Sequence, residues 1–272
     1  MQNIYDLKTP NEIEKEDHTA SKIQPDTLFH FMENVDWLTE MIKDKCINAR
    51  YCVEDVSYLK LAETDKIAYP MKCFCDIKFH DLHEHIGFYG ANGIAFPKHW
   101  GMKRSIQPVH YINPQSKMRK DFTEAFNKAL QEDGKDQSDL QFCLKNYLIH
   151  ELMYYKPYSG RIQNEKSEII DKCFTDECEW RYVPIVSDFN FDQIIFFDES
   201  KRDYICKLNA SLKALPEAAL HFDYSDIKYL IVENQDNFIK LLDTIMNLPI
   251  SQQEQHMLSS KIIIWNDAKG DF

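Results

Sequence analysis

The sequence predicts an α+β fold, and three observations carry that reading. Short apolar strand candidates and longer amphipathic stretches segregate unevenly, instead of alternating as they would in a doubly wound α/β protein. One long helical stretch, Gln115 to Tyr155, separates the early strand candidates from the late ones. Only seven glycines occur in 272 residues, which leaves no Gly-rich phosphate loop of the Walker or dinucleotide type.

Taken in order, residues 1 to 25 are polar and charged with little periodicity, and they read as a flexible N-terminal arm. Residues 26 to 272 read as a single α+β domain with a helical insertion at about 115 to 155. Thr27-Leu28-Phe29-His30-Phe31 has the composition of a short strand. A helix follows from Asn34, which is placed to cap it, to Lys43, with Trp37, Leu38, Met41 and Ile42 on one face. Further strands are expected at Met71 to Ile77, Gly93 to Phe96, Pro108 to Ile112, Glu179 to Pro184, Gln193 to Phe197 and Ile227 to Val232. The insertion is expected to break near Asp133-Gly134, and Asn234 to Leu248 is a second amphipathic helix.

With 44% hydrophobic and 13% aromatic residues, the chain can bury a sizeable core. Its formal charge of −12 argues against a broad phosphate-binding face, because non-specific nucleic-acid affinity comes largely from Lys and Arg neutralising phosphates; a local basic patch stays open. No apolar run reaches the length of a membrane span, and the first residues show no basic region followed by an apolar one, so a cytoplasmic protein is expected. The eight cysteines are scattered through apolar segments, the pattern of reduced, mostly buried thiols.

Four constellations could carry chemistry. His30 sits alone among apolar neighbours, the usual setting of a satisfied core or edge histidine. Lys72 to His85 packs Cys73, Cys75, His80, His83 and His85 into fourteen positions, a density that suggests zinc. The spacings of familiar tetrahedral sites are missing, however, and alternation turns both thiols to one face of a strand. Tyr89-Gly90-Ala91-Asn92-Gly93 reads as a hairpin-like turn leading into a strand. Cys173 to Tyr182 sets Glu177 and Glu179 on either side of one cysteine at the start of a strand. There they either divide a catalytic role or pair with Arg181 or a distant lysine.

The order of these pieces (L-F-H-F, A-R-Y-C-V-E-D, M-K-C-F-C-D-I, H-E-H-I-G-F-Y-G-A-N-G-I, P-V-H-Y-I-N and D-E-C-E-W-R-Y-V-P) resembles the AbiGi family of abortive phage-resistance proteins over about residues 27 to 233. The resemblance implies phage defence and a cognate operon partner, with members labelled antitoxins from operon position.

A more distant resemblance is to ADP-ribosyltransferases of the DarT type. It rests on a first strand carrying His30 that runs into a helix, and on the late acid-x-acid strand. It implies a split β-sheet core holding NAD as substrate in a cleft between two small sheets. Glu179 would then be the catalytic acid and Glu177 its companion. His30 and Phe31 would lie on the strand that meets the NAD ribose, Cys73-Phe74-Cys75 would shape the nicotinamide pocket, and Tyr89 would stack on the nicotinamide ring. The macromolecular target would be RNA, DNA or protein. Against this stands a non-enzymatic antitoxin that binds a partner, with Glu177 and Glu179 in a structural salt bridge. The separating feature is whether His30 and Glu179 converge in a pocket. A metal-dependent nuclease built on His80, His83 and His85 is a third reading.

Overall fold

The segment Thr27–Met32 forms β1, its side chains alternating between two buried layers, and Asn34 then caps helix α1 (Val35–Asp44) by accepting from the Asp36 amide. Lys45 closes the helix in a left-handed conformation. The structure is a computed structural model that describes residues 21–131, 138–163 and 169–270. The greater part of the expected arm, residues 1–20, and the expected break at Asp133-Gly134 lie outside the described residues.

From α1 the chain runs through β2 (Cys46–Asn48), β3 (Arg50–Asp55), the long β4 (Lys66–Cys75) and helix α2 (Leu82–Tyr89). Then come β5 (Asn92–Pro97), the short helix α3 (Lys98–Met102), β6 (Gln107–Pro108) and β7 (His110–Ile112). The insertion is two helices, α4 (Lys117–Gln131) and α5 (Asp139–Tyr154), the latter opened by a capping box at Ser138 and Gln141. It is followed by β8 (Tyr155–Pro157), β9 (Ser159–Gln163), β10 (Ile169–Cys173), β11 (Glu179–Tyr182) and β12 (Ile195–Phe196). The chain continues with α6 (Arg202–Leu212), β13 (Ala219–His221), β14 (Tyr229–Val232), α7 (Gln235–Met246), α8 (Gln252–Ser259), β15 (Ile262–Ile264) and α9 (Trp265–Ala268).

The main sheet has the order β15-β14-β5-β1-β4-β11-β6, with β3 and β12 also paired to β4; β14 and β15 are parallel, and its other pairs are antiparallel. Strand periodicity decides which core each side chain joins. Leu28, Phe74, Ile94 and Leu230 face α1, α7 and α8, whereas Phe29, Phe31, Cys75, Ala95 and Ile231 face α2 and α9. Farther along β4, Ile67, Tyr69 and Met71 pack under Phe122 and Phe126 of α4 and Leu148 and Leu152 of α5.

The mixed α+β class is what the sequence led us to expect, and the insertion is helical. The expected split into two small sheets is not what the described residues form: β1, β4 and β11, the strands that would flank an NAD cleft, are consecutive neighbours in one sheet. The expected strand at Pro108 to Ile112 breaks at Val109, whose amide turns to the Glu179 carbonyl at 3.1 Å. Tyr89-Gly90 is a helix end instead of a hairpin, because Gly90, with φ +88, terminates α2 and delivers the chain to β5.

Candidate functional site

The two glutamates are brought together by a local reversal that alternation along one strand could not supply. Phe174–Glu177 is a single 3₁₀ turn, Cys178 follows it with φ 42 in the left-handed region, and the strand begins only at Glu179. Glu177 therefore approaches from the turn and Glu179 from the strand, and both carboxylates close on the ammonium of Lys156 in β8.

Each acid has further partners. Glu179 accepts from Arg181 Nε at 2.7 Å, and Glu177 accepts from Lys172 Nζ at 2.6 Å and from the Tyr89 hydroxyl at 2.9 Å. Arg181 donates in addition to Glu54 at 2.9 Å, to the Met153 carbonyl at 2.9 Å and to the Tyr69 hydroxyl. Glu54, Glu177 and Glu179 thus face Lys156, Lys172 and Arg181 with balanced charge. Glu177, Glu179 and Arg181 are 4%, 7% and 0% exposed, which places this network inside the protein.

Burial by itself would raise the Glu179 carboxyl, but Arg181 and Lys156 outweigh it and hold the group far below the usual carboxylate range. Glu177 is lowered in the same way, with burial opposed by Lys156 and Lys172. Burial would depress the Lys156 ammonium, and Glu179 and Glu177 raise it instead. Both acids are therefore held as carboxylates. That suits charge pairing and leaves neither with the basicity of a general base tuned toward neutral pH.

Register settles which of the expected site residues meet. Phe29 pairs with Cys75 and Cys75 with Glu179, so these three share the α2 face, together with Phe31, Cys73 and Arg181. His30 pairs with Ile94 and stands on the α1 face, its ring 5.6 Å from that of Phe74. Glu177, Glu179, Tyr89, Phe31, Cys73 and Cys75 therefore lie on one side of the sheet, whereas His30 and Phe74 lie on the other. His30 Nδ1 lies 2.8 Å from the Cys73 carbonyl, and burial, with Lys72 nearby, lowers its pKa to about 3.

Phe31, His85 and Tyr89 form a ring series, with centroids 5.8 and 4.5 Å apart, that leads to Glu177. Glu177, His85, Lys172, His83 and Phe88 line an open cleft of about 590 Å³. Among the described residues no group of three or more His, Cys, Asp or Glu side chains is placed to hold a metal ion, so Cys73, Cys75, His80, His83 and His85 do not converge. Burial pushes the Cys73 and Cys75 thiols well up.

Sequence reasoning did not single out Lys156 or Lys172, and it had Arg181 only as a pairing alternative. Lys156 carried one signal, a lone lysine in the aromatic run M-Y-Y-K-P-Y directly after the helical stretch. No helix among the described residues is long and apolar enough to cross a membrane.

Fold and site together define a mixed α+β protein in which Glu177, Glu179, Lys156, Lys172 and Arg181 form a largely internal, mutually paired group of charges. The chain belongs to the AbiGi family: the family model described as abortive phage resistance protein AbiGi, antitoxin, matches residues 45–233. A relative named abortive phage resistance protein AbiGi, from Lactococcus lactis subsp. cremoris, is 31% identical over 247 residues, covering 82% of this chain and 98% of that protein. No solved structure matches the chain.

Proposed function

We propose that this chain is the antitoxin of an abortive phage-resistance system and acts by binding a cognate partner protein, without turning over NAD. The observation that carries this reading is the state of Glu179. Both of its oxygens are engaged by Arg181 and Lys156, it is buried, and it lies across the sheet from His30. A transferase acid must instead reach the ribose of NAD and stabilise charge that develops there. The family description and the name of the lactococcal relative support the same reading.

The test has two arms. The first co-expresses the chain with its operon partner, with recovery of a complex and relief of the partner's growth arrest as the expected result. The second incubates the purified chain with labelled NAD and a cell extract, beside Glu179→Gln. Label transferred to nucleic acid or protein by the parent and lost in the variant would overturn the antitoxin reading. So would a failure to bind the partner.

One observation favours the transferase as a second reading. Glu177, though ion-paired, borders the open cleft together with His85. In that reading Glu177 takes the catalytic role, NAD enters the cleft from the α2 side, and Glu177→Gln abolishes label transfer where Glu179→Gln merely destabilises the fold.

A further inference from the structure

The helical insertion carries more apolar surface than the core uses. Along α5 the buried side chains are Leu148, Leu152 and Met153, all in its second half. Its first half leaves Leu140 77%, Phe142 58%, Leu144 46% and Tyr147 57% exposed. Leu140, Cys143, Leu144 and Tyr147 fall at i, i+3, i+4 and i+7, so they form one stripe along the helix. A helix that is apolar on several sides is ordinarily buried, and a contiguous apolar patch left in water marks an interaction surface.

Beside the stripe, α4 and α5 bound an open groove of about 420 Å³. Leu144 lines it from α5, and the half-buried Ala125 and Ala129 line it from α4. Two alanines four residues apart share one helix face and leave room for a bulky side chain from outside. The α4 wall from Asp121 to Ala129 runs about 12 Å, the length of about two helical turns.

Charge selects what docks there. Asp121 and Glu124 stand exposed on the α4 side, paired with Lys117 and Lys128, each at 2.7 Å. Those lysine side chains are 85% and 67% exposed, and pairs so open to water are worth little, so cations of a partner can take their place. The whole chain carries −12, which repels a second copy of itself and attracts a basic surface.

We infer that the α4–α5 groove and the adjoining Leu140-to-Tyr147 stripe dock an amphipathic helix of the cognate partner, with large apolar side chains on one face and Lys or Arg beside them. The inference rests on the antitoxin reading and locates its partner-binding surface on the insertion.

The test titrates the purified full chain against its operon partner by calorimetry at low and high salt, beside Leu140→Lys, Leu144→Lys and Glu124→Lys. Leu140 and Glu124 are exposed, so those two variants keep their fold, and the melting point of each variant alone shows this directly. The parent complex should weaken with salt, and each substitution should weaken it about tenfold or more, whereas Leu140→Met should bind like the parent. Equal binding by parent and lysine variants would overturn the docking surface and leave the antitoxin reading standing. Absence of any complex with the parent would overturn both. A complex insensitive to salt would overturn the basic character of the partner helix. Sedimentation of the chain alone closes the remaining route: a dimer in the parent that is lost in Leu140→Lys would give the stripe to a second copy and overturn the assignment to the partner.

Discussion

His30 and Glu179 stand on opposite faces of one sheet, because Phe29, and not His30, is in line with Cys75 and Glu179 across β1, β4 and β11. One residue of register thus separates two groups that a transferase would need to bring together. What Glu179 does meet is cationic, and this arrangement makes the first prediction.

Lys156 is the ammonium that both glutamates share. Replacing it by methionine leaves two buried carboxylates short of a counter-charge, and breaking a buried pair in this way costs ~3–5 kcal/mol. Urea unfolding of Lys156→Met against the parent measures the loss. A difference under ~1 kcal/mol would mean that Arg181 and Lys172 alone neutralise the acids.

Acid destabilises this protein in two stages. His30 and His85 are held neutral, with pKa values lowered by burial from 6.5 to about 3 and about 4. Their contribution is complete above pH 6.5 and is lost as pH falls below it, because the unfolded chain then binds protons that the folded chain refuses. Glu177 and Glu179 lie below their ordinary 4.5, so their contribution is present above that value and is lost as pH falls through it. Each depressed histidine adds a slope of ~1.4 kcal/mol per pH unit at most. Unfolding free energy followed from pH 7 to 5 should fall, and His30→Asn should reduce the slope by about half. An unchanged slope in that variant would assign the titration elsewhere.

Gly90 ends α2 at φ +88, where an added Cβ would come within 2.4 Å of the Glu33 Cα. A Gly90→Ala variant combines a left-handed strain of ~1–3 kcal/mol with a backbone clash, so a fall in melting temperature is expected. A variant as stable as the parent would show that the turn rearranges freely.

The thiols should divide by depth. Cys143 and Cys206 are exposed, while Cys73 and Cys75 lie in or against the core, with pKa values that burial raises. A neutral alkylating reagent on the native chain should label the first pair quickly and the second only on unfolding, as peptide mass spectrometry would read. Rapid labelling of Cys73 or Cys75 would show that the sheet opens around β4.

Several parts of this molecule were legible in the sequence. Asn34 announced its helix because an Asn side chain can accept from an amide in the helix's first turn, two residues on, and the helix from Asn234 was legible from its amphipathic spacing. The strand at Thr27, the helical insertion and the mixed α+β class followed from periodicity in the same way. The pairing of Glu179 with Arg181 was within reach too, since residues two apart on a strand share a face.

Spacing alone could not reveal the rest. Lys156 reaches Glu177 and Glu179 from a strand more than twenty residues away, and Glu177 turns toward them only because Cys178 adopts a left-handed conformation. The sequence by itself determined the strand at Thr27, the helices that open after Asn34 and Asn234 and the helical stretch after Gln115, because those signals lie within a few residues of one another. Only the tertiary structure decided that Glu179 lies buried beside Lys156 and across the sheet from His30, because strand order and register are set by the packing of distant apolar faces, and a shift of one residue moves a side chain to the other face.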